Sequence, residues 1–538
     1  MKASQLKPVL LLLLPALAFL CWLGMQHDIM EVDAAQYASI AREMRHNNQW
    51  LQVYEHGETY QSRGYPDKPP LLFWLGAAGM SLFGENNFGY RFFAVISSLL
   101  AMWGIGRWAA LLFGEHARWP ARTFYSFNIG MLLMNSDLRT DTLLINLITL
   151  SAWQLELFMR KEDLRYWLSG LSLLALAMLA KGPVALVALL LAFGTDALLR
   201  RDFKRLLKPA WLAAPIVILA WLMPMLYGLY QQWGWEKGIK YYFWTQSFGR
   251  ITGENVWQND LPFSFLSETL LWTFLPWSLL LPALLYLMIK NRKAYAIPGG
   301  WVGPAGFMLM LLAMSTSKYK LPHYIYVVWP FLALSLCPFI ENFNKPIWRK
   351  LFFVSGILLV LTLSVALSWV RGWETVTVIF ILFTAAIGLL FLYLSTAKAY
   401  PWWVQMATTF LVSGFLLHLY LYPWLLSFQA SSMAGKKIYA QGWQNNTWVF
   451  DTRNESIHAL HFYSRAVLPQ AAQVEQLPAK VMVYTHVNGY QTLKEADRAP
   501  QIIDSVLYYP VSILKSSFLN PVQRHSVVEK RYILQLSR

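Results

Sequence analysis

Asp33 lies just after the first membrane-length apolar run, in Glu31-Val-Asp33-Ala-Ala-Gln36-Tyr37-Ala-Ser-Ile40-Ala-Arg-Glu43-Met44. A carboxylate held at a membrane surface can serve as general base toward a lipid-borne substrate. The same residues fit a capping box, with Asp33 accepting from first-turn amides and Gln36 reaching back. Further along comes Asp67-Lys68-Pro69-Pro70. The prolines hold the preceding residues extended, and a lysine so fixed can act as a point-charge ligand for phosphate or snorkel among headgroups. Asn135-Ser-Asp137-Leu-Arg139-Thr-Asp141 opens a span, where ionisable groups are functional candidates by default and N-caps otherwise. Lys181-Gly-Pro puts a cation at a helix break, and Arg250 ends an aromatic stretch beginning at Tyr241. Lys318-Tyr319-Lys320-Leu-Pro-His323-Tyr324 opens a later apolar run. Each signal is weak alone; together they place several cations and carboxylates beside apolar runs.

The elements that must position them are membrane helices. The chain has 538 residues, 56% hydrophobic and only 14% charged, where a soluble domain carries about 25% charged residues. That composition predicts a polytopic α-helical membrane protein. Apolar runs near 8–26, 91–113, 121–136, 142–159, 166–182, 184–199, 209–230, 264–289, 298–317, 321–340, 351–370, 374–397 and 402–427 predict about 13 transmembrane helices. Leu71–Gly84 is short for a span and reads as re-entrant or interfacial. Lys2 and Lys7 precede the first run, which reads as a retained anchor. Cys21 and Cys337 sit in different apolar runs and imply no disulfide framework. The net charge of +16 is spread between apolar runs, which favours topology and anionic lipid over nucleic acid.

Lys/Arg-rich loops alternate with poorer ones. The positive-inside rule then puts the N-terminus in the cytoplasm and Asp33, Lys68, Asp137, Asp141, Arg250 and Lys318 on the opposite face. The organisation expected is a catalytic membrane domain over 1–429, with outer loops 27–90 and 231–263, and a small extracytoplasmic α/β domain over 430–538. In the latter, Trp448–Phe450, Lys480–Tyr484 and Val527–Leu536 read as strands and His458–Ser464 as a helix.

The Asp-x-x-x-Tyr-x-x-Ile-x-x-Glu-Met pattern from Asp33, Lys68-Pro-Pro-Leu, Asp141, Lys181-Gly, Phe248-x-Arg250 and Lys320-Leu-Pro-x-Tyr324 resemble bacterial lipid A aminoarabinose transferases and related protein O-mannosyltransferase-like enzymes. These are GT-C glycosyltransferases that use polyprenyl-phosphate sugars; the resemblance covers about residues 8–430. It implies Asp33 as the essential carboxylate of the first outer loop and Asp141, with Asp137 beside it, as a second carboxylate. It implies Lys68 and Arg250 as cations holding the lipid phosphate, and Tyr324 or Tyr319 as a phosphate-contacting tyrosine. Tyr37, Lys181, Lys318, Lys320 and His323 complete the cavity candidates. In the aminoarabinose transferases an acidic residue before the lysine and a His of the aromatic loop hold a divalent metal. Asp67 fills the first place, but Thr245 and Ser247 stand where the His is expected. Asp67 is thus the only matching ligand, and no resident metal is expected.

The expected activity is inverting transfer of a sugar from polyprenyl (undecaprenyl) phosphate to lipid A, lipopolysaccharide or another glycolipid, on the periplasmic face of a bacterial inner membrane. A protein O-glycosyltransferase of the same fold is the alternative within enzymes. A flippase for lipid-linked sugar is the alternative of another class; it predicts charges at the bilayer midplane, whereas these gather at one face.

Overall fold

The first apolar run ends at Gln26, and residues 27–32 turn the chain into a second helix with its apolar stripe buried. The computed structural model describes residues 3–55, 63–246, 249, 254, 258–397, 400–450 and 456–537. The first nine helices are α1 (Ala3–Gln26), α2 (Asp33–His46), α3 (Leu71–Phe83), α4 (Asn87–Phe113), α5 (Arg118–Ser126), α6 (Ile129–Ser136), α7 (Thr140–Lys161), α8 (Leu164–Lys181) and α9 (Val184–Arg200). The chain is a multi-pass α-helical membrane protein with a small C-terminal sheet.

Among the described residues, seven helices are long and apolar enough to cross a membrane, or eight if one bent pair counts as a span. Within the described residues, several of the apolar runs are divided or bent. Hydropathy is blind to where backbone direction changes. The run 121–136 divides into α5 and α6 at Asn128, whose side chain caps α6 by accepting from the Met131 amide at 2.8 Å. The run 264–289 bends by 115° between Phe265–Thr273 and Trp277–Lys290. The run 298–317 yields the 14-residue helix Val302–Ser315. Leu71–Gly84 forms the 13-residue α3, half the length of α4 against which it packs. There Gly79 is obligatory, since a Cβ would stand 2.1 Å from the Gly89 carbonyl oxygen.

α7 is the buried centre of the bundle. Polar side chains fasten it to its neighbours. Asn146 accepts from the Tyr125 hydroxyl at 2.7 Å and donates to Ser97 and Ser98, each at 2.9 Å. At its other end Glu156 is fully buried and doubly paired, with Arg160 and Arg205 each at 2.6 Å. α8 runs back beside α7 and stops at Gly182, φ +109°, followed by Pro183. That break leaves Lys181 at the helix end, facing the start of α7.

Two sheets lie outside the bundle. Strands β1 (Tyr54–Glu55) and β2 (Arg63–Gly64) form a short antiparallel pair, not expected from the sequence, between α2 and α3. Strands β3 (Thr447–Phe450), β4 (Gln470–Ala471), β5 (Met482–His486), β6 (Gln501–Tyr508) and β7 (Glu529–Gln535) make one sheet in the order β4-β3-β5-β7-β6. The first three are parallel; β7 is antiparallel to both β5 and β6. The expected strands at 448–450, 480–484 and 527–536 fall in β3, β5 and β7, and the expected helix is present at His458–Ser464.

That helix docks on α2. Arg42 donates to the His461 carbonyl at 2.6 Å, and Tyr463 bridges the Ile29 amide (2.7 Å) and Asn87 (2.6 Å). Glu31 accepts from the Ala459 amide at 2.8 Å and the Ser456 hydroxyl at 2.6 Å. Burial pushes the Glu31 carboxyl up to about 7, against those two hydrogen bonds, which lower it. The folded state therefore keeps a proton that the unfolded chain releases near 4.5. Stability falls as pH rises through that window and levels off above it. Glu31→Gln should remove this loss, adding roughly 1–2 kcal/mol at about pH 8 and little at about pH 5. Thermal unfolding of the detergent-solubilised chain at the two pH values checks the sign.

Candidate active site

Asp33 is the first residue of α2, and Val32 occupies the cap position with no side-chain cap. The capping-box reading is therefore corrected: both of its side chains are used elsewhere. Arg139 Nη1 donates to Asp33 Oδ2 at 2.5 Å, and Gln36 donates to Glu55 of β1. Arg139 precedes α7 and also grips Asp137 Oδ2, from Nε at 3.0 Å and Nη2 at 2.9 Å. Among the described residues, Asp33 Oδ1 accepts no hydrogen bond, so the carboxylate is oriented by one oxygen with the other in reserve.

A second pair lies beside the first. Lys181 donates to Asp141 Oδ1, and its ammonium stands 4.3 Å from the centre of the Tyr324 ring. His323 joins the pairs: its Nδ1 is 3.3 Å from Arg139 Nη1 and its Nε2 is 3.7 Å from Asp141 Oδ2. The result is a continuous polar chain, Asp33–Arg139–His323–Asp141–Lys181, drawn from α2, the start of α7, the end of α8 and the segment before Trp329.

Asp67 and Lys68 come in on the rigid Pro69-Pro70 segment that opens α3. Asp67 Oδ1 accepts from the Tyr241 hydroxyl and, at 2.9 Å, from the Gln246 amide. A hydroxyl and an amide thus satisfy the carboxylate, and among the described residues no three His, Cys, Asp or Glu side chains converge. This donor set does not fit a resident divalent ion.

These groups surround a polar chamber of about 340 Å³. Asp33, Tyr37, Asp67, Lys68, Asp141, Lys181, Tyr319, His323 and Tyr324 all line it. Asp67, Lys68, Asp141, Lys181 and Tyr324 also line an adjoining apolar groove of about 110 Å³, walled by Leu144, Val184, Val187, Met310, Met314 and Val327. The two compartments meet at the two lysines.

Other expected residues are placed differently. Asp137 is outside the chamber and touches it only through Arg139. Lys318 is exposed; its carbonyl accepts from the Asn259 amide at 3.0 Å. Lys320 is buried, with Nζ on the Leu261 carbonyl at 3.0 Å. Both pin the loop around Asn259 rather than the chamber. Arg250, Phe248 and Ser247 lie outside the described residues. The sequence reading also missed chamber residues. Glu55, Tyr65, Ser456 and His458 line it from the β1–β2 pair and the C-terminal segment. Arg139, noted only as a neighbour of the carboxylates, is the group that holds Asp33.

The family model for dolichyl-phosphate-mannose-protein mannosyltransferase matches residues 67–227. An undecaprenyl phosphate-alpha-4-amino-4-deoxy-L-arabinose arabinosyl transferase of Pseudomonas savastanoi pv. phaseolicola is 29% identical over 347 residues, 62% of this chain and 61% of its own length. Arabinosyl transferase 1 of that type from Pseudomonas fluorescens is 26% identical over 314 residues, 56% of this chain and 52% of its own. The match thus spans roughly half to three-fifths of these curated relatives. The crystal structure of ArnT from Cupriavidus metallidurans bound to undecaprenyl phosphate superposes with a TM-score of 0.75 at 16% identity, over 98% of this chain and 97% of that one. The chain therefore has the fold of the ArnT structure over nearly all of its described residues and resembles the GT-C glycosyltransferases.

Proposed function

We propose that the chain is a membrane glycosyltransferase moving a sugar from a polyprenyl-phosphate donor to a lipid A, lipopolysaccharide or other glycolipid acceptor. One observation carries this reading: a polar chamber holding an oriented carboxylate opens, across two lysines, onto an apolar groove. A lipid phosphate sugar has that same division. Its isoprenoid chain fits the groove, its phosphate the lysine junction, and its sugar the chamber.

In the proposed step an acceptor oxygen attacks the anomeric carbon as the bond from that carbon to the phosphate oxygen breaks. The anomeric configuration inverts. Asp33 takes the acceptor proton, and the polyprenyl phosphate leaves as an anion. Lys68 and Lys181 meet the charge that develops on the leaving oxygen, with Tyr324 beside them and Arg250 as a further candidate. Asp141 holds Lys181 and, through His323, keeps Arg139 and Asp33 in register. No metal takes part in this scheme.

Residues 1–429 form the catalytic membrane domain and 430–538 the extracytoplasmic one. The distribution of Lys and Arg supports a bacterial inner-membrane protein with a cytoplasmic N-terminus and the chamber on the periplasmic side. A lipid-linked donor remains available there, where nucleotide sugars are absent. The mannosyltransferase match over 67–227 favours a second reading, a protein acceptor. Mass spectrometry of glycolipids and glycoproteins from cells with and without the chain separates the two. A sugar missing from neither class would sink both. In proteoliposomes, Lys68→Gln should raise the KM for donor about tenfold or more, with Lys68→Arg intermediate. An unchanged KM would remove Lys68 from the phosphate site.

A further inference from the structure

Part of the chamber lining is not shared with the apolar groove, and Glu55, Gln36, Tyr65, Ser456 and His458 belong to it. Glu55 and His458 are each only 5% exposed. Glu55 accepts from Gln36, whose own amide oxygen accepts from the Tyr65 hydroxyl at 3.3 Å. His458 Nε2 is 3.6 Å from Glu55 Oε1. Among the described residues, His458 Nδ1 is buried with no hydrogen-bond partner. A buried polar atom left unmatched in a residue that lines a cavity calls for a partner, and a ligand atom in the chamber is one that could supply it. The bundle does not supply this imidazole; the C-terminal segment does, through the helix that docks on α2.

We propose that this part of the chamber is the acceptor subsite, that it takes the hydroxyl groups of an uncharged sugar headgroup, and that it disfavours a phosphate nucleophile. The proposal rests on the transferase reading of Asp33. The charges decide between the two ligand chemistries. Asp33 and Glu55 are both carboxylates. The nearby guanidinium, Arg139, is engaged by Asp33 and Asp137, and Lys68 and Lys181, which line both compartments, stand where the chamber meets the groove, Lys181 engaged by Asp141. A phosphate would bring acceptor oxygens and negative charge to carboxylates that can only accept. A sugar hydroxyl donates to Glu55, Asp33 or the Ser456 oxygen, whose own proton is on Glu31, and accepts from the second Gln36 amide hydrogen or the imidazole. Burial pulls His458 below its ordinary range, opposed by the Glu55 and Asp33 charges, which favours the neutral ring that both donates and accepts. A hydroxyl nucleophile also has a proton to lose, which gives Asp33 its task; an ionised phosphate has none.

The test uses the full chain in nanodiscs with an undecaprenyl-phosphate sugar and two acceptor probes, dephosphorylated lipid A and its bisphosphorylated form. The expected kcat/KM favours the dephosphorylated probe by about tenfold or more. Glu55→Gln should narrow that preference by removing one of the repelling charges. His458→Ala should raise the KM for the dephosphorylated probe about tenfold, with partial rescue by His458→Gln. Retention of each probe, read by native mass spectrometry without donor, separates the subsite from the chemistry. Preference for the dephosphorylated probe that Glu55→Gln weakens upholds the subsite, even if no sugar moves and the transferase reading falls. Equal retention, or preference for the bisphosphorylated probe, overturns the subsite while leaving the transferase reading standing.

Discussion

Asp33→Asn should lower kcat for sugar transfer by about a thousandfold and leave the KM for donor within a few-fold. The size of the effect follows from the proposed task. Asn keeps the shape of the side chain and a carbonyl that Arg139 can reach, but it cannot take a proton. The Asp33–Arg139 pair is only partly buried, at 34% and 20% side-chain exposure, so its loss should cost at most about 1 kcal/mol of stability. Arg139 also retains Asp137 at 2.9 Å, which keeps the start of α7 in place. Transfer rates in proteoliposomes, beside thermal unfolding of the same preparations, check both halves. Transfer within tenfold of wild type would remove Asp33 as base.

Lys181→Met produces the second large effect, on both stability and donor binding. Asp141 is 4% exposed and donates nothing; it relies on Lys181 for its principal cation, with His323 at 3.7 Å. Stripping a buried carboxylate of its partner costs about 3–5 kcal/mol. The same change removes one of the two lysines at the mouth of the groove, so the KM for donor should rise about a hundredfold. The double variant Asp141→Asn/Lys181→Met distinguishes these. It should regain most of the lost unfolding temperature, since no buried charge is left unpaired, yet keep the high KM. If the double variant also restores donor binding, Lys181 serves only to hold Asp141.

Residues beside the apolar runs were legible because charge is costly there. Asp33, Lys68, Asp141 and Lys181 stand out against lipid-compatible surroundings, and all four line the chamber. The same signal cannot rank candidates. Lys318 and Lys320 sit as close to a helix start as Tyr324 does, and only the fold shows that they hold the Asn259 loop. Glu55, Ser456 and His458 were illegible for the opposite reason. They lie in polar stretches where charged and hydroxyl side chains are ordinary, and no local pattern ties residue 31 to residue 456. β6 was missed because it is an edge strand held only by β7, with mixed exposure along its length. Hydropathy does not show where a run breaks, because an apolar run records lipid compatibility, not straightness; the 115° bend after Thr273 leaves no trace in it.

The docking of helix His458–Ser464 on α2 also sets an order of assembly. The Glu31–Ser456 contact spans 425 positions, so the chamber wall is closed only after the apolar helices between them have left the ribosome. On the proposed reading, a nascent protein with every apolar helix already inserted would still have an open chamber. Maturation would then be a folding event of the C-terminal segment, and a defect confined to the sheet would yield an inserted protein with an incomplete site.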